Sequence, residues 1–448
     1  MRLTWTQPED LVPAELATLA EQGADELALQ GIAERWSAAG GRTRLGRAGA
    51  SAVPASPAQR ALARQLLTEM RDLEPDDPDE PDDWAGVVAQ QSPLPSLRRQ
   101  TTRDRIHGAW TGRAIGCLLG KPVEKLPREG IEAIATSTGN WPIVGYFTGI
   151  GLPSQTGETW PWNRRSAPNS LAENIAGMPE DDDLNFAILA LEMLEQFGTE
   201  LTTQDVAQTW LASLPGGRVF TAERIAYRNL LDGYLPPETA TRANPFREWI
   251  GAMIRADVYG WANPGDLASA ARLAWVDAGL SHTRNGRYAA MWAAALGSAA
   301  LVGDDVDQVL DAAQTVIPAN SRLAAAINAG RSLAGRDLPQ ALDELADLFP
   351  TMHWVHSLNN AALAAYALAA GAGNLTPTIA AAVAGGWDTD SVGATVGGVV
   401  GALRGSAGID PAWSTPLQGR ISTSLPGPEH RRIDELAERT YVLGAQRD

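Results

Sequence analysis

The chain has 448 residues and a formal net charge of −17, since 53 Asp and Glu outnumber 36 Lys and Arg. One cysteine excludes a disulfide framework, an iron–sulfur cluster and a Cys-based zinc site, and five scattered histidines argue against a metal site built from His alone. A bound metal should therefore have oxygen ligands, as Mg²⁺, Mn²⁺ and Ca²⁺ prefer. The acidity also argues against a nucleic-acid partner, because contacts to phosphates require a basic surface.

Residues 1–73 combine helical patterns with a loop of small residues. Apolar residues at helical spacing predict helices over 11–36 and 58–73. The N-terminus lacks the basic and then apolar profile of a signal peptide, and no apolar stretch is long enough to span a membrane. We therefore expect a cytoplasmic protein with an N-terminal helical accessory segment over 1–73 and without a membrane partner.

An acidic, Pro-rich stretch follows at 74–83, where seven of ten residues are acids and three are prolines. This composition is typical of a solvated segment, because like charges repel and proline lacks a backbone N–H. We predict a linker over 74–100, and an interaction tail is the alternative.

Residues 101–448 predict one all-α domain, since stretches rich in Ala and Leu are broken by Gly and Pro. Leu184, Ile188 and Leu191 share one face of a predicted helix. Arg247 and Arg255 lie eight residues apart, a spacing that favours surface positions, and contacts to a diphosphate are the alternative.

The first motif of this domain is a glycine stripe. Glycines recur at 108, 112, 116 and 120, which predicts a helix that packs closely against another backbone and ends before Pro122. Glu124 lies just beyond the predicted helix end, a position that suggests a pocket.

The second motif is a run of four acids, 180–183, after a proline. Adjacent carboxylates repel one another unless they are solvated or share a cation. The alternative is structural, because acids commonly cap the first turn of a helix and meet its positive dipole end.

The third motif places Asp388, Asp390 and Ser391 after a Gly-Gly pair and before glycines at 393, 397 and 401. Its oxygens are ligands for a hard cation, and the alternative is again an acidic helix cap. If the helices of the second and third motifs are neighbours, their carboxylates can share a pair of cations, which removes the repulsion within each cluster.

These three motifs, in this order, resemble the ADP-ribosylglycohydrolase family. The resemblance covers roughly residues 103–406; Ser281-His282-Thr283 also resembles the family's His before its middle helix. It implies an orthogonal multi-helix bundle around a cleft with two Mg²⁺ (or Mn²⁺) ions, and a metal-activated water that attacks the anomeric carbon of an ADP-ribosyl group. The implied partner is an ADP-ribose-containing small molecule or an ADP-ribosylated protein.

Carried over by position, the resemblance implies three sets of site residues. The metal ligands are Glu180, Asp181, Asp182, Asp388, Asp390 and Ser391. The catalytic residues are Glu124, Asp183 and Asp390, with Glu124 or Asp183 as general base or substrate-positioning group. The substrate-binding residues are Glu124, His282 and Gly386.

The sequence departs from the family pattern at three positions. Glu180 and Asp183 replace the usual threonines, which leaves the register of the ligands open, and Cys117 stands where an Asp is common. Two alternatives follow: a non-catalytic ADP-ribose-binding or structural relative, and a hydrolase of a free nucleoside or sugar conjugate. The role of the N-terminal segment and the oligomeric state stay open.

Overall fold

A computed structural model describes residues 3–47 and 49–445. Three parts of the chain lie outside the described residues. They are 1–2 at the start of the predicted accessory segment, residue 48 in the predicted loop, and 446–448 at the end of the predicted catalytic domain. Over this part of the chain the fold is all-α, as predicted, with one pair of short antiparallel strands. Among the helices described, none combines the length and the apolar character needed to cross a bilayer.

Helices follow one another along the chain, joined by loops and short 3-10 turns, and the two strands come near its end. The N-terminal helices are α1 (Pro8–Glu21), α2 (Glu26–Ala38), α3 (Pro57–Met70) and α4 (Trp84–Gln90). The next ten are α5 (Arg103–Gly120), α6 (Arg128–Ser137), α7 (Ser154–Thr159), α8 (Ala167–Ser170), α9 (Asp182–Phe197), α10 (Thr203–Ser213), α11 (Thr221–Leu231), α12 (Glu238–Thr241), α13 (Asp257–Trp261) and α14 (Leu267–Ala278). The last are α15 (Arg284–Ala300), α16 (Val306–Gln314), α17 (Arg322–Ser332), α18 (Leu338–Leu348), α19 (Ser357–Gly371), α20 (Leu375–Ala384), α21 (Thr389–Arg404), α22 (Pro411–Ser414) and α23 (Ile433–Ala445). Strands β1 (Arg420–Ser422) and β2 (His430–Arg432) precede α23.

Helices α5 and α21 pack against each other along their glycines. A Cβ built on Gly116 would overlap the carbonyl oxygen of Gly393, and a Cβ built on Gly393 would overlap that of Gly116. The same reciprocal fit joins Gly112 to Gly397. The two stripes that the sequence predicts as close-packing faces are therefore partners, and this contact fixes the end of α5 beside the start of α21.

Gly116→Ala is expected to lower the free energy of unfolding by about 1–3 kcal/mol, because its methyl group forces two backbones apart in a packed core. Thermal unfolding measures this loss. Gly31→Ala in α2 is the matched control, since nothing lies within 4 Å of a Cβ at that exposed position. There the change should stabilise by roughly 1 kcal/mol through helix propensity. Equal effects of the two substitutions would contradict the packing argument.

The acidic segment at 74–83 differs from the predicted solvated chain. Glu80 is only 2% exposed, and its carboxylate accepts hydrogen bonds from the backbone N–H and the guanidinium of Arg322 at the start of α17. The Tyr288 hydroxyl donates to the carbonyl of Pro81. A buried acid needs such a partner, so part of the segment is docked on the helical body; the division into domains stays a prediction.

Arg247 and Arg255 are not on the surface, where their spacing placed them. Both are almost fully buried: Arg247 pairs with Glu15 of α1 at 2.9 Å, and Arg255 pairs with Glu223 and Asp277. Neither lines the cleft described below. Their ion pairs instead join segments of the fold that are distant in sequence.

Candidate active site

A cleft of about 1100 Å³ opens where α9 and α21 begin and α5 ends. The close contact of α5 with α21 and the docking of α9 beside them bring the two acidic runs together at one place. The acids that line the cleft are Glu124, Glu180, Asp181, Asp182, Asp183, Glu223, Asp388 and Asp390.

Asp181 serves both the helix and the cleft. Its carboxylate caps α9 by accepting a hydrogen bond of 2.9 Å from the backbone N–H of Asp183, and it forms an ion pair with the Lys121 ammonium. Burial raises the pKa of Asp181, but Lys121 and the hydrogen bonds more than offset this and lower it. The structural alternative of an N-cap is therefore correct for this residue, and the capping carboxylate still lines the cleft.

Asp183 links the two acidic runs directly. One of its oxygens accepts a hydrogen bond of 3.3 Å from the Ser391 hydroxyl of α21, and the other lies 3.4 Å from the Arg113 guanidinium. Burial and the neighbouring Asp181 raise the pKa of Asp183 well above its usual range. Asp183, a residue of α9, thus contacts both α5 and α21.

The remaining carboxylates repel one another. Burial, followed by the charges of Asp181 and Asp390, raises the pKa of Asp182 well above its usual range. Burial and Asp390 do the same to Asp388, and burial and Glu124 raise the pKa of Asp390 to about 7. Cations bound among these oxygens would reverse the shifts by favouring the ionised forms.

The donor set fits hard cations, because carboxylate oxygens from two helix starts meet with the Ser391 hydroxyl in one cleft. Cys117 lies close by: its sulfur and one oxygen each from Asp181 and Asp183 are within 4.8 Å of one another. Burial, Asp181 and Asp183 raise the pKa of the Cys117 thiol well above its usual range. A protonated thiol is a poor ligand, so the oxygens are the donors that this site offers.

Glu124 and Glu180 stand at the cleft and have protein partners on both carboxylate oxygens. Glu124 accepts hydrogen bonds from Asn163 Nδ2 at 2.6 Å and from Lys125 Nζ at 3.0 Å. Glu180 accepts them from Arg218 at 3.0 Å and from Asn185 at 2.8 Å. Each is only partly buried, and both line the cleft. The metal-ligand role of Glu180 stays a prediction, and its contacts also hold Arg218 at the cleft.

His282 and Gly386 do not line the cleft, in contrast to the predicted substrate contacts. His282 is fully buried, its Nδ1 lies 2.8 Å from the Ser281 hydroxyl, and burial lowers its pKa well below the usual value. Gly386 has a φ of +71° and packs against the backbone of Arg128 at the start of α6. His282 Nε2 lies 3.9 Å from the carboxylate of Glu223, which does line the cleft. Position 386 requires glycine for its backbone conformation.

The basic side chains that line the cleft were not predicted from the sequence. Lys121 and Lys125 are the only lysines of the chain, and both line it. Four arginines, Arg47, Arg164, Arg165 and Arg218, line it as well. The clustering of both lysines within five residues was a usable signal, whereas nothing local marks the arginines among many others.

The chain matches a known protein family over most of its length. The model of the ADP-ribosylglycohydrolase family matches residues 98–448. A solved structure titled "ADP-ribosylglycohydrolase-related protein complex" is similar at 22% identity and a TM-score of 0.45, over 76% of this chain and 98% of that chain. No curated protein matches the chain. All the acidic residues of the cleft lie inside the matched range, and residues 1–97 lie outside it.

Proposed function

The chain belongs to the ADP-ribosylglycohydrolase family, and from this we propose that it is a metal-dependent hydrolase that cleaves the glycosidic bond of an ADP-ribosyl or related ribosyl group. The observation that carries the proposal is the meeting of two acidic helix starts in one cleft, within the residues that match the family. Two Mg²⁺ or Mn²⁺ ions are the proposed cofactors, and a cytoplasmic location stays a prediction.

The proposed ligands are Asp181, Asp182, Asp388 and Asp390, with the Ser391 hydroxyl. Ions held by these residues would lower the pKa of a bound water, so that it could act as the nucleophile. Asp183 is proposed as a positioning residue, because its oxygens are taken up by Ser391 and Arg113 and only 2% of it is exposed.

Glu124 is the proposed substrate-facing base. Its carboxylate accepts hydrogen bonds from Asn163 and Lys125, which fix its orientation. It also lines the cleft, where it can accept the proton of the attacking water. Glycosidic cleavage develops positive charge at the anomeric carbon, and the carboxylates around it stabilise that charge.

The metal requirement is tested by removing divalent cations. We expect excess chelator to abolish release of ADP-ribose from arginine-linked, serine-linked and acetyl-ester conjugates, and added Mg²⁺ or Mn²⁺ to restore it, because the proposed nucleophile needs the ions. Product is quantified by chromatography, and chelator saturated with Mg²⁺ beforehand is the control. Full activity in free chelator would rule out the proposal.

The alternatives predict other outcomes of the same assay. A non-catalytic relative binds ADP-ribose without turnover at millimolar Mg²⁺. The ion pair of Lys121 with Asp181 supports this alternative, because the ammonium already neutralises one proposed metal ligand. A hydrolase of free nucleosides or sugar conjugates releases ribose or a base instead of ADP-ribose.

A further inference from the structure

The N-terminal segment reaches the cleft although it lies outside the residues that match the family. Thr4, Trp5, Arg47 and Gly49 line the cleft together with the acidic helix starts. These four residues are called the cleft strap.

One end of the cleft strap is tied to α11. The backbone carbonyl and the hydroxyl of Thr4 accept hydrogen bonds of 3.0 and 2.7 Å from Arg224, which is only 5% exposed. Burial lowers the pKa of Arg224 to about 10, and the nearby Asp182 carboxylate offsets part of that shift. Arg224 belongs to α11, whose Thr221 and Glu223 also line the cleft, so this end of the strap is tied to a wall of the cleft.

The middle of the strap is held by Trp5. Its backbone N–H donates to the carbonyl of Gly49 at 2.6 Å, which joins the two parts of the strap. The Trp5 ring meets Phe246 and Trp249 edge-on at 5.4 and 5.6 Å. A Cβ on Gly49 would overlap the Trp5 ring, so glycine is required for this contact.

The other end of the strap contacts Trp354, which also lines the cleft. The carbonyl of Arg47 accepts a hydrogen bond of 3.4 Å from Trp354 Nε1, and the Lys125 ammonium sits 5.9 Å from the Trp354 ring centre. Lys125 in turn contacts Glu124 at 3.0 Å. The strap is thus attached to α11 through Thr4 and lies near the Lys125–Glu124 pair through Arg47 and Trp354, and all four of its residues line the cleft.

We propose that the cleft strap limits the leaving group of the reaction to a small molecule. The substrate class is therefore a small-molecule conjugate of ADP-ribose, because the strap would keep the surface of a folded protein away from the carboxylates of the cleft. This inference rests on the proposed function. A volume of about 1100 Å³ slightly exceeds the usual range of small-ligand sites, which runs to about 1,000 Å³, so a nucleotide-sized substrate with a small leaving group has enough room.

The test compares one chemical bond in two contexts. The substrates are ADP-ribose linked to free arginine or serine and ADP-ribose linked to the same residue of a folded protein. The full chain with Mg²⁺ should show a kcat/KM at least about tenfold higher for the small conjugate, and Trp5→Ala should reduce that preference by about tenfold, as steric exclusion from a site predicts. The gain should appear in hydrolysis of the protein-linked substrate, with little change for the small one.

Matched variants separate this effect from a loss of folding. Trp5→Phe keeps the aromatic packing and should keep the preference, while Arg47→Ala removes most of a side chain that lines the cleft and retains Trp5 and the backbone contact to Trp354. Arg44→Ala changes an exposed residue of the same loop that does not line the cleft, and should have no effect. Melting temperatures establish that each variant is folded.

Two failures are distinguishable. Equal rates on both substrates, or an unchanged preference in both Trp5→Ala and Arg47→Ala, overturn the role of the strap and leave the hydrolase intact. No hydrolysis of any conjugate and no binding of ADP-ribose, measured by calorimetry, overturn the proposed function and this inference with it.

Discussion

Asp182→Asn and Asp388→Asn are each expected to lower turnover by about 10³-fold or more, equivalent to ~4 kcal/mol of transition-state stabilisation. The two carboxylates come from different helix starts and line the same cleft. An amide of the same size removes the negative charge that a hard cation requires. Turnover and the binding of Mn²⁺ should therefore fail together, which steady-state kinetics and calorimetry measure.

The stability of these variants distinguishes a cation site from a structural cluster. Neighbouring charges raise the pKa of both residues, so removing one charge relieves repulsion, and the melting temperature in chelator should not fall. Asp410→Asn makes the same chemical change at the exposed N-cap of α22, outside the cleft, and should leave turnover and Mn²⁺ binding unaltered. Unimpaired turnover in Asp182→Asn or Asp388→Asn would refute the assignment.

The features that the sequence predicted well are those written in short local patterns. Glycine at every fourth position is enough to indicate a close-packed helix face, and the stripes containing Gly116 and Gly393 do contact each other. Acids after a proline or a Gly-Gly pair indicate helix starts, which is what Asp181 and Asp388 form. Such patterns act within one or two turns of a helix, so they can be recognised without knowing the fold.

The features that were not predicted from the sequence depend on partners far away in the chain. Glu80 is buried because Arg322 lies opposite it, 242 residues later. His282 matches a family motif, yet the helices around it place its ring behind the cleft wall. Composition near Trp5 gave no sign that this residue would line the cleft. Each of these outcomes is decided by tertiary packing, which overrides the local pattern.

Lys121→Met is expected to make the stability of the protein depend on divalent cations. Lys121 and Asp181 are each only 7% exposed and form an ion pair. Removal of the ammonium leaves a buried carboxylate without its partner, which should cost about 3–5 kcal/mol in the free energy of unfolding when measured in chelator. Methionine retains most of the side-chain volume, so the loss reports on charge more than on packing.

Added Mg²⁺ or Mn²⁺ should return much of that stability, because a cation among the carboxylates neutralises the Asp181 charge that has lost its ammonium partner in Lys121→Met. The rise in melting temperature with metal should therefore be larger for Lys121→Met than for the unaltered chain. Lys125→Met is the control: its side chain is 53% exposed and its pair with Glu124 should contribute at most about 1 kcal/mol. If metal stabilises Lys121→Met no more than Lys125→Met, the ammonium and the ions do not share one set of carboxylates, and the metal ligands must be sought elsewhere.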